Sequence, residues 1–173
     1  KVGYRYNDEH HAFATELSID LLTEKIKTLT GQIENAFGKR PLSFRSGRFG
    51  YNEMVGKILM ENNYIVDSSV TPYVSWKCNK GIQGGEGGPD FINCSPLPYR
   101  YIFMNGSLLE IPVTILPTKF PFTRSHSLAR YHFRNVNKNI ILKALRKIFF
   151  YDQPVWFRPY LSTSINILEE LIN

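Results

Sequence analysis

Two arginines lie between aromatic residues and glycines in the segment "SFRSGRFGYN", residues 43–52. A guanidinium group is planar, stays charged at every working pH and pairs well with phosphates and carboxylates. Arg45 and Arg48 are therefore candidates for binding a phosphate or a carboxylate of the protein itself, and exposure to solvent is the third alternative. The segment follows a short predicted strand at 42–44 and precedes a predicted helix.

The other reactive side chains form no recognisable motif. The histidines are at positions 10, 11, 126 and 132, and neither pair has a spacing that zinc sites favour. The glycine-rich stretch at 81–90 lacks the Gly-Lys-Ser/Thr ending of a phosphate loop, so a loop or lid is expected there. Cys78 and Cys94 match no common metal or redox spacing, so free thiols are expected, and a disulfide across the glycine-rich loop that they bracket is the alternative. No serine occupies a nucleophile elbow.

Two amphipathic helices are predicted on either side of the arginines. Apolar residues recur at spacings of three and four from position 22 to position 37, which predicts a helix from about Ser18 to a stop at Gly38. Its predicted buried stripe consists of Leu22, Ile26, Leu29, Ile33 and Phe37. The second helix is predicted to begin at Asn52, a good capping residue, and to end at 62–63. Its predicted buried stripe consists of Val55, Ile58 and Leu59.

Short apolar runs between and after these helices predict strands. They are 42–44, "YIVDSSV" at 64–70, "SLLEIPVTI" at 107–115 and "VWFRPY" at 155–160. The stretch 71–101 is expected to be irregular, and further helices are predicted at 137–151 and from 162. Glu110 is a charged residue inside an otherwise apolar strand. The alternation of strands and helices predicts an α/β fold built from parallel βα units.

Polar residues follow three of these strands. They are Arg45 with Arg48, Asp67 with Ser68 and Ser69, and Arg158. Because the carboxyl ends of parallel strands meet at one edge of a sheet, we expect these side chains to share a site.

Composition limits the class of protein. A chain of 173 residues that is 43% hydrophobic is long enough for one domain, 1–173, with a real core. The formal net charge of +6 permits an anionic partner without requiring one, and nucleic acid is not expected. The aromatic fraction of 14% favours an aromatic-rich core over a sugar groove. No apolar stretch approaches the length of a transmembrane helix, so a soluble protein is expected, with the cytoplasm favoured.

The segment "KIKTLTGQIENAFGKRPLSFRSGRFGYNEMVGKILMENNYIVDSSVTPYVSW" resembles the central part of polysaccharide deacetylases, the NodB-type carbohydrate esterases, and especially their divergent bacterial surface-polysaccharide branch. The motifs "GGPDF", "LLEIPVT" and "VWFRP" extend the resemblance in the same order. The resemblance implies a distorted (β/α) barrel that removes acetyl groups from an N-acetylated sugar or polysaccharide. It also implies a divalent metal, Zn or Co, held by an Asp and two His, with a second Asp as base and a late His as acid. These groups would deprotonate water, polarise the amide carbonyl and protonate the leaving nitrogen.

The resemblance assigns roles to several residues. Arg45 would pair with the base carboxylate and keep it ionised, and Asp67 would support the acid histidine. Trp76 would close the pocket as an aromatic wall, and Phe49 would take the approximate place of the family's tyrosine. Arg48, which together with Gly47 replaces the family's proline step, would face substrate, Asp67 or solvent.

The metal-binding and acid motifs of the family are not found in this sequence. The resemblance therefore indicates the inner part of a longer enzyme or a truncated and inactive product, and the metal ligands are not identified. A non-catalytic carbohydrate- or anion-binding module, in which Arg45, Arg48 and aromatic residues bind an acidic glycan or phosphate, is the alternative. An incomplete barrel would leave open sheet edges, so an incomplete barrel or a homo-oligomer is expected.

Overall fold

The computed structural model describes residues 13–80 and 86–116, together with residues 127, 155 and 156. The helices are α1 (Ile19–Phe37) and α2 (Glu53–Glu61), and the strands are β1 (Ser43–Phe44), β2 (Val66–Asp67), β3 (Tyr99–Phe103), β4 (Gly106–Glu110), β5 (Ile115–Leu116) and β6 (Val155–Trp156). Single 3-10 turns form at Ala14–Glu16 and Gly47–Phe49. The helices predicted at 137–151 and from 162, the four histidines and Arg158 lie outside the described residues.

Local signals at both ends define α1, as predicted. The backbone N–H of Leu21 donates to Ser18 Oγ at the first turn, and Gly38 ends the helix with a φ of 67°. The buried residues are Leu22, Ile26 and Thr30, which follow one another at intervals of four.

The predicted buried stripe of α1 is wrong at Leu29 and Phe37, which are exposed. Thr30 takes the buried position because its hydroxyl donates to the carbonyl oxygen of Ile26 at 2.7 Å and lies 2.8 Å from the Tyr64 hydroxyl. The buried face therefore runs through a polar residue that is satisfied internally, and the two apolar side chains turn outward.

The short helix α2 packs against α1 and supports the sheet. Asn52 caps it as predicted, since Asn52 Oδ1 accepts from the backbone N–H of Val55 at 3.0 Å. The predicted stripe of Val55, Ile58 and Leu59 is buried in the core. No helix formed by the described residues is both long and apolar enough to cross a membrane.

The main sheet has four strands in the order β1-β2-β4-β3. The pairs β1–β2 and β2–β4 are parallel, which agrees with the predicted βα arrangement. The hairpin partner β3 is antiparallel to β4 and lies partly in the stretch predicted to be irregular. The predicted strand at 107–115 is interrupted, because 111–114 separates β4 from β5, which pairs with β6 in a second sheet. The described residues thus form a mixed α/β structure with a small open sheet.

Candidate functional site

The carboxyl ends of two neighbouring parallel strands bring two acidic side chains together. Asp67 ends β2, Glu110 ends β4, and the two residues are paired in the register of the sheet. Both residues have 0% of their surface exposed. Two ionised carboxylates would repel each other strongly in a buried site, so the pair needs internal donors and a proton on one of its members.

Hydrogen bonds from Ser69 occupy both oxygens of Asp67. The backbone N–H of Ser69 donates to Oδ2 and its hydroxyl donates to Oδ1, both at 2.8 Å. The Ser69 hydroxyl also accepts from the backbone N–H of Ser46 at 2.8 Å. Burial raises the pKa of Asp67, but these two donors stabilise its charged form. Asp67 is therefore the member of the pair whose charged form has more donors.

Glu110 carries the proton. Its Oε1 accepts from the backbone N–H of Val70 at 3.1 Å, whereas no protein donor among the described residues reaches Oε2. Asp67 is the register partner of Glu110 on the neighbouring strand, so a proton on Glu110 relieves the repulsion between the two carboxyl groups. Burial, followed by the contact with Asp67, raises the pKa of Glu110 to about 9. Glu110 is consequently protonated at neutral pH.

Tyrosines surround this acidic pair. The Tyr51 hydroxyl is buried without a hydrogen-bond partner among the described residues, and it contacts Gly56, where a side chain would collide with it. The ring of Tyr101 lies 5.6 Å from that of Tyr51. Burial raises the pKa of Tyr51 and raises that of Tyr101 to about 12. Both phenols stay neutral near pH 7, so they add no charge to the pair.

Arg45 binds the loop that follows β2. Its Nε donates to the carbonyl oxygen of Ser68 at 2.9 Å, and its Nη2 donates to the Ser68 hydroxyl at 2.8 Å. The positive charge of Arg45 acts to lower the pKa of Glu110, although burial outweighs it. Arg45 thus lies at the predicted edge of the sheet, where it fixes the loop that carries the donors of Asp67.

Arg48 and Phe49 lie on a strained turn between β1 and α2. Their φ angles are 52° and 58°, so two consecutive residues with side chains adopt the left-handed region. This conformation costs roughly 1 to 2 kcal/mol for each residue. Gly47 and Gly50 flank the turn, and Gly50 is packed against Phe13 and Ala14. The turn directs the chain so that Phe49 joins an aromatic cluster.

Three aromatic rings form an aromatic wall, defined by Phe49, Trp76 and Trp156. The rings of Phe49 and Trp76 stack with centroids 5.4 Å apart and an interplanar angle of 18°. Trp156 contacts both rings, at 5.3 Å from Phe49 and 6.1 Å from Trp76. The indole N–H of Trp76 donates to the Thr71 hydroxyl at 2.8 Å, which fixes the orientation of the ring.

A pocket of about 380 Å³ opens beside the aromatic wall. It is lined by Phe13, Arg48, Phe49, Trp76 and Asn79. The side chains of Arg48 and Asn79 are exposed and make no hydrogen bond or ion pair within the described part of the chain. The pocket therefore combines apolar ring surfaces with two uncommitted polar groups, which is the usual composition of a small-molecule site.

Gly88 allows the pocket to form. A Cβ atom at this position would lie 2.6 Å from Trp76 Cβ and 2.7 Å from ring atoms of Phe13. Both distances are shorter than side chains tolerate, so only glycine permits the approach. The "GGPDF" motif thus contributes a packing residue to the pocket.

The described residues do not supply a metal centre. They include no group of three His, Cys, Asp or Glu side chains that could hold a metal ion. The oxygens of Asp67 are occupied by Ser69, and Glu110 is protonated and buried. The four histidines lie outside the described residues. No catalytic step is therefore assigned to a metal here.

The residues singled out in the sequence fall into two groups. Arg45 and Asp67 lie at the carboxyl edge of the sheet, whereas Arg48, Phe49 and Trp76 line the pocket. Arg158 lies outside the described residues. The residues that sequence reasoning missed are Glu110, Phe13, Asn79 and Trp156. Of these four residues, only Glu110 could have been identified from the sequence, because a charged side chain within an apolar strand needs a buried partner.

Comparisons with known proteins give no relative. The chain matches no protein-family model, and no curated protein or solved structure is significantly similar to it.

Proposed function

We propose that this chain is a carbohydrate-active domain of the polysaccharide deacetylase type, which binds an N-acetylated glycan in the pocket beside the aromatic wall. The observation that supports the proposal best is the pocket lined by Phe49, Trp76, Arg48 and Asn79. The C–H face of a sugar ring packs favourably on the electron-rich face of an aromatic ring. The uncommitted guanidinium and amide groups are suitable partners for sugar hydroxyls and for an acetamido oxygen.

The hydrolytic part of the proposal depends on the resemblance. Deacetylation needs a polarised carbonyl, an activated water and a proton for the leaving nitrogen. Arg45 contributes by holding the loop at 68–70, which positions Asp67 through Ser69. Arg45 is therefore a positioning residue in this proposal.

Glycan binding is tested by replacing the central ring of the aromatic wall. We expect Trp76→Ala to weaken binding of an N-acetylglucosamine tetrasaccharide at least tenfold, about 1.4 kcal/mol, because one stacking surface is lost. Trp76→Phe keeps a ring but loses the indole N–H bond to Thr71, so it should retain most of the affinity. Isothermal titration calorimetry on the full chain measures both, with the exposed Ile102→Ala as the control. Equal affinities of wild type and Trp76→Ala would contradict the proposed site.

Hydrolysis is tested by acetate release from the same oligosaccharide with added Zn²⁺ or Co²⁺. We expect Arg45→Ala to lower kcat at least tenfold with little change in KM, because the loop at 68–70 loses two hydrogen bonds. Arg40 also donates to a backbone carbonyl, that of Asn62, so Arg40→Ala is the matched control and should keep the wild-type rate. Equal rates of wild type and Arg45→Ala would remove Arg45 from the mechanism.

A non-catalytic glycan-binding module is the second candidate. It is favoured by the complete burial of Asp67 and Glu110, whose hydrogen bonds join strands and loops within the fold. Such a module would bind the tetrasaccharide at the aromatic wall and release no acetate with either metal. The two measurements together therefore separate the two functions.

A further inference from the structure

Arg48 is the one charged side chain that lines the pocket in the described part of the chain. Its guanidinium is exposed and has no carboxylate partner among the described residues. Other cations nearby in sequence differ in this respect: Arg45 is bound to Ser68, and Lys77 pairs with Asp90 at 3.1 Å. Among the described residues, the pocket thus presents a positive charge that no carboxylate neutralises, beside a wall of aromatic rings.

The backbone at position 48 favours a role for this side chain. Arg48 has a φ of 52° and a ψ of 20°, a conformation that glycine adopts without strain. The side chain makes no hydrogen bond within the described residues that would stabilise the strained turn. Strain of this kind, at a residue that faces a pocket, supports a hypothesis of ligand binding.

We propose that the glycan bound in this pocket is acidic and that Arg48 binds its carboxylate. The inference rests on the proposed glycan binding and specifies its substrate class as an N-acetylated glycan that also contains uronic acid units. A guanidinium binds a carboxylate through two parallel N–H···O bonds, while the aromatic wall takes the sugar ring and Asn79 reaches a hydroxyl. The net charge of +6 also favours the approach of an acidic polymer.

The test compares two oligosaccharides of equal length on the full chain by calorimetry. One alternates N-acetylglucosamine and glucuronate, and the other is the N-acetylglucosamine tetrasaccharide. We expect the wild type to bind the acidic oligosaccharide at least tenfold more tightly, and we expect Arg48→Gln to reduce the ratio of the two dissociation constants to near one. Arg48→Lys should keep part of the preference, because it retains the charge but loses the planar fork. Arg40→Gln, which removes an arginine outside the pocket, should keep the wild-type ratio.

A second measurement addresses the strained turn. Arg48→Gly should raise the Tm by a few degrees and abolish the preference for the acidic oligosaccharide, so loss of folding cannot explain the loss of selectivity.

Four outcomes would overturn the inference. If wild type binds both oligosaccharides equally, or if Arg48→Gln keeps the wild-type ratio, the acidic specificity fails while the proposed glycan binding stands. If inorganic phosphate competes as strongly as the acidic oligosaccharide, the pocket binds an anion and not a sugar. If neither oligosaccharide binds, the proposed function fails as well.

Discussion

Replacing Glu110 with glutamine is expected to abolish most of the loss of stability that the wild-type protein shows as the pH rises from about 5 to 9. The folded state holds the Glu110 proton with a pKa of about 9, against an ordinary value of 4.5 in the unfolded chain. A group with a raised folded pKa contributes stability that is fully present below its unfolded pKa and is lost as the pH rises through its folded pKa. The wild type should therefore become steadily less stable across this window.

The slope for one proton is about 1.4 kcal/mol per pH unit, so the effect is large compared with the stability of a typical domain. Glutamine has the shape of a protonated glutamic acid and carries an amide N–H₂ that can donate to Asp67 at every pH. It cannot ionise, so Glu110→Gln should leave the structure intact and flatten the profile. Urea unfolding followed by tryptophan fluorescence at pH 5, 6, 7, 8 and 9 measures the change.

Glu61 provides the matched control. It lies at the end of α2 and is exposed, with a long contact of 3.9 Å to Lys57. Glu61→Gln should therefore give the wild-type profile. Parallel curves for wild type and Glu110→Gln would show that Glu110 does not hold its proton in the folded state.

The helices could be predicted because their signals are local. Ser18, Gly38 and Asn52 are capping residues whose hydrogen bonds are made within one turn of the helix they cap. The buried stripe of α1 was less predictable, because the burial of Thr30 depends on Tyr64, a residue 34 positions away. The sequence pattern contains no information on that contact.

The sheet and the pocket depend on contacts that the sequence does not specify. Strands of two residues, such as β1 and β2, exist only because their neighbours pair with them. The first part of the antiparallel β3 was predicted as irregular, because the stretch 71–101 is rich in proline, glycine and serine. The predicted parallel arrangement of the strands placed Arg45 and Asp67 at the carboxyl edge of the sheet. It did not predict that Glu110 on β4 lies beside Asp67. The left-handed turn at Arg48 could not be predicted either, because glycine is the residue expected at such backbone angles.

Replacing Asp67 with alanine is expected to lower the free energy of unfolding by about 3 to 5 kcal/mol. Two donors would lose their acceptor inside the protein: the backbone N–H of Ser69 and the hydroxyl of Ser69. Each unsatisfied buried donor costs about 1 to 3 kcal/mol. Urea unfolding at pH 7 gives the difference in stability between wild type and variant.

The variant Asp67→Asn separates the contribution of the hydrogen bonds to stability from the contribution of the negative charge. Asp67→Asn keeps one oxygen acceptor of nearly the same shape, so its loss should be smaller, at about 1 to 2 kcal/mol. Asp90→Ala is the surface control, because Asp90 forms an exposed ion pair with Lys77, and such pairs contribute at most about 1 kcal/mol. The expected order of stability loss is Asp67→Ala, then Asp67→Asn, then Asp90→Ala. If Asp67→Ala were no more destabilising than Asp90→Ala, Asp67 would not bind these two donors in the folded protein, and the acidic pair would not stabilise the carboxyl edge of the sheet.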